Sequence, residues 1–540
     1  METTLTDERV RAMVAAGLWR DESLETYLDR WARECPGKAA LVDGRGRHTW
    51  ESLARAVDRV AHGLRAHGVE PGRVISCQLP NWNEAIVLFL AALRLGAVVN
   101  PIPPTYRASE VRFILGLLES QVAVVPAAFR GFDHAAMLAG LRASLPRLEE
   151  VFVARGAGPA GTRPLAALTE EPWETRSRRS FPGTDPNTVH EVAFTSGTTG
   201  EPKGVMHTQN TTLSTLHHVI ERLELTGRDV LLMASTVGHQ TGFLYGHCLN
   251  MLLGATTVWM DVWNVEEAAR LIEAERVTFS MGATPFLRDL TYQETPRDRS
   301  SLRLFISAGA PIPRALVRDA RTRLGCVISA GWGMTENGLV TCNGLQDEEA
   351  KVFGSDGAPV DGMELCVVDE DGGPVATGVE GDLLARGAAQ FVGYFKRPQF
   401  TADAHAPDGW FRTGDRGTID RDGYLTITGR AKDLIIRGGE NIPVVEVENL
   451  LYTHPKIAGV AIVATPDPRL GERACAVVIP RDGQTITLDE IVRFLERHEL
   501  ARQKFPERLE LVSEFPMTPS GKIQKYKLRD LIAGRAERPT

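Results

Sequence analysis

Basic excess is missing from this chain. With 61 Lys and Arg against 69 Asp and Glu, its formal net charge is −8. That excludes a general nucleic-acid binder, because phosphate backbones demand basic surface. The one dense basic run, Arg176-Ser177-Arg178-Arg179, reads as solvated loop charge. Cysteine is scarce and scattered: the 7 residues Cys35, Cys77, Cys248, Cys326, Cys342, Cys366 and Cys475 include no Cys-x-x-Cys pair. A disulfide framework and a structural zinc site are both disfavoured, and a reducing compartment fits. Long apolar runs are absent too. The longest, from Ile86 to Val99, is too short to span a bilayer and carries Arg94. Residues Met1 to Arg9 contain early acids and no apolar core of signal-peptide length. The expectation is a cytoplasmic protein with no integral membrane segment.

What is present is ordinary globular material, 43% hydrophobic and 24% charged over 540 residues, enough for about three or four folding units by length. Strand-like runs recur at 74–79, 122–125, 230–233, 256–260 and 302–306, with helix-periodic segments such as 50–63 and 265–275 between several of them. This alternation predicts an α/β fold of mainly parallel sheets covered by helices, with ligands at the strand C-terminal ends. Residues 155–186 shift toward Gly, Pro, Thr and Arg and read as a long loop or subdomain junction. After Gly381 the strands shorten and become glycine-punctuated, as at 424–428, which predicts a smaller β-rich subdomain.

The most informative stretch is Thr195-Ser196-Gly197-Thr198-Thr199-Gly200-Glu201-Pro202-Lys203-Gly204. Glycines let backbone fold closely around oxyanions, the hydroxyls donate hydrogen bonds and Lys203 adds positive charge, a set suited to a polyphosphate. With apolar Val192 to Phe194 before it and a helix-like stretch from about Thr208 after it, the expected setting is a strand-loop-helix turn. It is not a Walker A loop, because Pro202 precedes Lys203 and Gly204 follows it.

The order Thr-Ser-Gly-Thr-Thr-Gly-x-Pro-Lys-Gly resembles the phosphate loop of the adenylate-forming superfamily, which includes acyl-CoA synthetases, peptide-synthetase adenylation domains and beetle luciferases. Further motifs follow in the family's order. Gly331-Trp332-Gly333-Met334-Thr335-Glu336 resembles its second core motif, which implies Trp332 near the adenine, Thr335 on phosphate and Glu336 as a Mg²⁺ ligand. Gly409 to Asp415 looks like the segment whose aspartate accepts from both ribose hydroxyls. Gly429 to Ile435 resembles the hinge motif, which implies nucleotide contact for Arg430 and a pivot at Lys432. Pro516 to Ile523 matches the loop whose lysine, here Lys522, bridges the substrate carboxylate and the α-phosphate.

The resemblance covers nearly the whole chain. It implies a large N-terminal domain of helix-covered sheets plus a β-rich subdomain over 1–428, a hinge at 429–433 and a small mobile α+β C-terminal domain over 434–540. It also implies ATP as co-substrate, and Lys522, Glu336, Thr335 and His239 as the catalytic set. Gly438-Gly439-Glu440-Asn441 matches the loop beside the thiol tunnel, with a β-turn as the second reading of the same residues.

By the same resemblance the acid pocket is lined by His239, Gln240, Thr241, Gly242 and Phe243, by the strip around Gly282, and by Ala308, Gly309 and Ala310. Gly309, Ala310 and Pro311 also lie against the adenine. No aspartate stands in the first strip, which disfavours an amino acid, and His239 is the one basic residue in the three strips, which disfavours a second substrate carboxylate. His239 has a second reading as a core histidine. The His-Gln-Thr-Gly-Phe strip is most similar to short- and medium-chain fatty acyl-CoA and cyclohexanecarboxylate–CoA ligases, whereas aryl-acid adenylases carry His-Asn there.

The expected reaction is therefore ATP-dependent ligation of a small or medium apolar acid to CoA. Loading of a carrier-protein pantetheine is the enzymatic alternative, and a non-catalytic nucleotide sensor the weaker one. A homodimer is left open.

Overall fold

The apolar runs become strands of two large sheets. The computed structural model describes residues 1–176, 180–181, 183–195, 202–309, 312–430, 435–437, 440–442, 444–467, 471–498, 500, 502–518 and 522–536. Val230–Met233, Thr256–Trp259, Phe279–Gly282, Leu304–Ala308 and Val327–Met334 lie side by side in a nine-stranded sheet. They pair in parallel, so all five strands end on one side. Val74–Cys77, Val98–Pro101, Val122–Pro126 and Val189–Thr195 form the centre of a seven-stranded sheet.

Helix Asn83–Leu95 is apolar on nearly every face because it is packed into the largest core, which takes side chains from both sheets. Its one basic residue, Arg94, is neutralised by Asp58 and by Asp29 at 2.5 Å. The longest apolar run is thus one buried helix followed by a strand. Among the described residues, no helix is long and apolar enough to cross a membrane.

The β-rich subdomain is a four-stranded antiparallel sheet of Met363–Val368, Gly381–Gly387, Phe411–Ile419 and Leu425–Arg430. It begins at Met363, before the glycine-rich signal that predicted it. Beyond it, strands Ile435–Arg437, Glu440–Ile442, Ile457–Asp467, Gly471–Pro480 and Arg508–Leu511 form a five-stranded sheet. Helices Val444–Leu451, Leu488–Arg497 and Lys525–Ala536 belong to the same small C-terminal domain. This domain has apolar clusters of its own, one around Ile435, Val447 and Ile462 and one around Val463, Phe515 and Leu528.

One local expectation is corrected. The phosphate-loop segment leads from strand to strand: Val189–Thr195 pairs antiparallel with Lys203–Thr208, with Thr195 opposite Lys203. The helix follows that second strand, at Gln209–Arg222, where Thr208 and Thr211 form a capping box. Alternating Val205 and His207 carry the β pattern that the glycine and proline before them obscure.

Candidate active site

The C-terminal ends of the parallel strands open on a cavity of about 440 Å³. Thr195, Lys203, His239, Gln240, Thr241, Ala308, Gly309, Gly333, Met334, Thr335, Glu336, Arg430 and Lys522 all line it. A larger cavity, about 1360 Å³, lies on the other side of Tyr394 against the N-terminal segment and contains none of the predicted site residues.

Residues 335–337 form the tip of a hairpin between Val327–Met334 and Gly338–Cys342. Gly333 is required there, because a Cβ would run into the carbonyl oxygen of Gly338. Two hydrogen bonds to backbone carbonyls hold the tip: the His207 side chain donates from Nε2 to the Thr335 carbonyl at 2.7 Å, and Phe391 N–H donates to the Glu336 carbonyl at 2.7 Å. The Glu336 carboxylate then accepts from the Tyr394 hydroxyl at 2.8 Å. Burial pushes the Glu336 carboxyl above the usual range, opposed by the Tyr394 hydrogen bond and the charges of Lys203 and Lys522. Lys203 Nζ lies 5.1 Å from the ring centres of both Tyr394 and Phe400, a cation–π cradle at the loop's end.

Lys522 reaches this cavity from the small domain. Its N–H donates to Thr518 Oγ1 at 3.0 Å and its carbonyl accepts from Thr518 N–H at 2.7 Å, closing a turn. The side chain lies over Gly309, where a Cβ would stand 3.7 Å from Lys522 Cε; Gly309 itself has φ +83°. His239 caps the short helix Gln240–Gly242 by accepting the Thr241 N–H on Nδ1 at 3.2 Å, so the ring proton sits on Nε2. Burial and the Lys522 charge push this imidazole down to about 3, which makes it a neutral N–H donor rather than a base. Asn81 orders the segment before it: Nδ2 donates to the Ser235 and Met260 carbonyls, both at 2.9 Å, and Oδ1 accepts from Val237 N–H at 2.7 Å.

The expected acid-pocket lining changes at three positions. Phe243 is buried in the main core against Phe89 and His247. Gly242 turns its Cα against the carbonyls of Ser235 and Thr236, and Gly282 packs on the Phe286 ring, 2.6 Å from where a Cβ would be. All three fall outside the cavity lining, which includes instead the mostly apolar Pro103, Tyr106, Phe194, Leu244, Tyr245, Met281 and Leu339. Sequence reading missed most of these apolar residues, because nothing in their local pattern distinguishes them from core. It missed Tyr394 and Asn81 for the same reason.

Trp332 is 8% exposed and donates its indole N–H to Asp415 Oδ2 at 2.8 Å, while Arg430 Nε lies 2.9 Å from Asp415 Oδ1. The three predicted nucleotide residues are thus one hydrogen-bonded chain. Gly331 packs below them against Leu339 and Thr341. Glu440 and Asn441 sit on the strand that pairs with Ile435–Arg437, Arg437 opposite Glu440. Ser196, Gly197, Thr198, Thr199, Gly200, Ala310, Pro311, Lys432, Gly438 and Gly439 lie outside the described residues.

Comparison with known proteins finds relatives along nearly the whole chain. The medium-chain fatty-acid–CoA ligase of Escherichia coli (strain K12) is 37% identical over 99% of this chain and 95% of its own length. The 2,3-dihydroxybenzoate-AMP ligase of Bacillus subtilis (strain 168) is 32% identical over 95% of this chain and 97% of its own. The solved structure of ATP-bound MatB from Rhodopseudomonas palustris superimposes with a TM-score of 0.83 at 28% identity, covering 94% of this chain and 98% of that one. The family model for the AMP-binding enzyme matches residues 28–395 and that for the AMP-binding enzyme C-terminal domain matches residues 446–522; the chain belongs to the AMP-binding enzyme family.

Proposed function

We propose that the protein is an ATP-dependent carboxylate–CoA ligase that activates a small or medium apolar acid, aliphatic or alicyclic, as its acyl-AMP and passes the acyl group to CoA. The observation that carries this reading is the meeting of Lys522 and Glu336 on one cavity, part of whose wall is apolar, with Leu244, Met281 and Leu339. A carboxylate is a poor electrophile, so it needs a leaving group. Its oxygen attacks the α-phosphorus, the bond to the β-phosphate oxygen breaks, and pyrophosphate leaves. Lys522, between carboxylate and α-phosphate, offsets the charge that accumulates there, and His239 Nε2–H donates to an oxygen of the acid. A thiol then attacks the acyl carbon and AMP departs. That half-reaction needs Lys522 withdrawn from the strand ends, which is the role we assign to the hinge at Lys432, with Gly438 to Asn441 flanking the thiol path.

Glu336 fits a hard cation. Glu336 lines the cavity and, among the described residues, its Oε1 receives one O–H, from Tyr394, leaving lone pairs for a ligand. Mg²⁺ held there with the phosphates supplies charge neutralisation when bound.

The test is AMP release across a panel of short, medium, alicyclic and aryl acids, with CoA or a holo carrier protein as acceptor. A medium or alicyclic acid with CoA should give the highest kcat/KM. Preference for the carrier would establish the loading reaction instead, and no acid-dependent pyrophosphate exchange with any acid would leave a nucleotide-binding protein.

A further inference from the structure

One acid stands where the fold has no room for charge. Glu191, 0% exposed, lies in the middle of strand Val189–Thr195, in register with His207 on one neighbour and Val99 on the other. Strand alternation puts it on the same face as Thr195, which lines the cavity. Between Glu191 and that cavity stands Gln240, whose Nε2 donates to Glu191 Oε2 at 3.4 Å. Two oxygens of this pair, Glu191 Oε1 and Gln240 Oε1, are buried without a hydrogen-bond partner among the described residues. Leaving both orphaned is costly.

A protonated carboxyl resolves both at once, since its O–H can donate to Gln240 Oε1 while Gln240 N–H donates back. Burial pushes the Glu191 carboxyl up to about 8, in keeping with a proton kept at neutral pH. The groups around it do not supply a counter-charge: His190 and His247 are each held down to about 3 by burial, and burial raises the Cys248 thiol.

We infer that Glu191 is a positioning residue for acid selection: as a neutral acid it pairs with the Gln240 carboxamide and fixes that side chain as one wall of the acyl cavity. The inference rests on the ligase reading, in which this cavity holds the acid. A buried acid paired with a buried carboxamide costs stability relative to two apolar side chains of similar volume, so the pair is kept for what it does at the cavity wall.

The experiment measures acid-dependent pyrophosphate exchange for wild type, Glu191→Leu, Glu191→Gln, Gln240→Leu and the Glu191→Leu/Gln240→Leu double variant, over straight-chain, branched and alicyclic acids, with thermal melts alongside. Glu191→Leu leaves the buried Gln240 carboxamide without its partner, so it should melt below wild type, lose about tenfold in kcat/KM for the preferred acid, flatten the ranking of acids, and leave the KM for ATP within about twofold. Glu191→Gln retains a donor and an acceptor for the carboxamide and should keep the wild-type ranking. The double variant should lose no more than Gln240→Leu, as two residues acting through one contact must. An unchanged acid ranking in Glu191→Leu, or equal damage to the KM for ATP, would overturn the inference while leaving the ligase reading intact. A wild type with no acid-dependent exchange would overturn both.

Discussion

Replacing Trp332 by Phe removes one hydrogen bond, with part of the ring, at the proposed nucleotide site. A phenyl ring remains where the larger indole stood, and the indole N–H that meets Asp415 Oδ2 at 2.8 Å is removed. Asp415 is 5% exposed, so water does not replace the lost donor. A hydrogen bond to a charged acceptor contributes about 1.5–3 kcal/mol. The Arg430 contact at 2.9 Å persists on Oδ1, but its guanidinium side chain is 40% exposed and solvent weakens it. The expected loss therefore sits at the low end, about 1.5–2 kcal/mol, or roughly ten- to thirtyfold in kcat/KM for ATP at about 1.4 kcal/mol per decade. The assay is pyrophosphate exchange with ATP and with 2′-deoxy-ATP. If Trp332 aims Asp415 at the ribose, wild type favours ATP strongly and Trp332→Phe narrows the ratio. A folded variant with the wild-type ATP to 2′-deoxy-ATP ratio and an unchanged KM would refute the reasoning.

Tyr394→Phe removes the hydroxyl that holds the Glu336 proton affinity down, so the acidic limb of the kcat/KM profile for ATP should move to higher pH; an unmoved limb would remove Glu336 from the ionisations that matter. Lys522→Ala should lower acyl-adenylate formation by at least about a hundredfold while sparing thioester formation from supplied acyl-AMP, and equal loss in both half-reactions would contradict its assignment. Stability should fall below neutrality, because burial holds His190, His217 and His247 down to about 3 and His207 to about 4. The unfolded chain protonates each near about 6.5 while the folded chain does not, so each costs up to about 1.4 kcal/mol per pH unit below that value. Glu191 opposes this: raised to about 8, it binds its proton in the folded state first and gains stability as pH falls from 8 toward the ordinary carboxylate range. Urea titrations at pH 7 and pH 5 should therefore show a lower midpoint at pH 5, and equal midpoints would mean these histidines reach water.

The parallel strands were legible because each is a short apolar run, and 230–233 and 256–260 match observed Val230–Met233 and Thr256–Trp259 closely. The strand at 302–306 lies two residues later, at Leu304–Ala308, since Leu302 N–H is spent on a turn to the Arg299 carbonyl. Lys203–Thr208 was hidden because a strand opening on Pro-Lys-Gly reads as loop. Motif residues announce themselves through unusual composition, and so Lys203, Glu336 and Lys522 could be named in advance. Tyr394, Asn81 and Glu191 could not, because their importance lies in what they meet across the fold: Tyr394 lies far along the chain from Glu336, and Glu191 far from Gln240.

The strand-to-strand setting of the phosphate loop separates two things that a strand-loop-helix turn would bind together. Lys203 is located by the pairing of Thr195 with Lys203, not by the residues strung between them. A residue added within 196–201 changes the closure entropy by only a fraction of a kcal/mol, of order a few tenths, whereas a residue added within Lys203–Thr208 reverses the facing of every side chain after it and takes His207 away from Thr335. Thr195 and Lys203 are in this sense two fixed posts, set by the sheet.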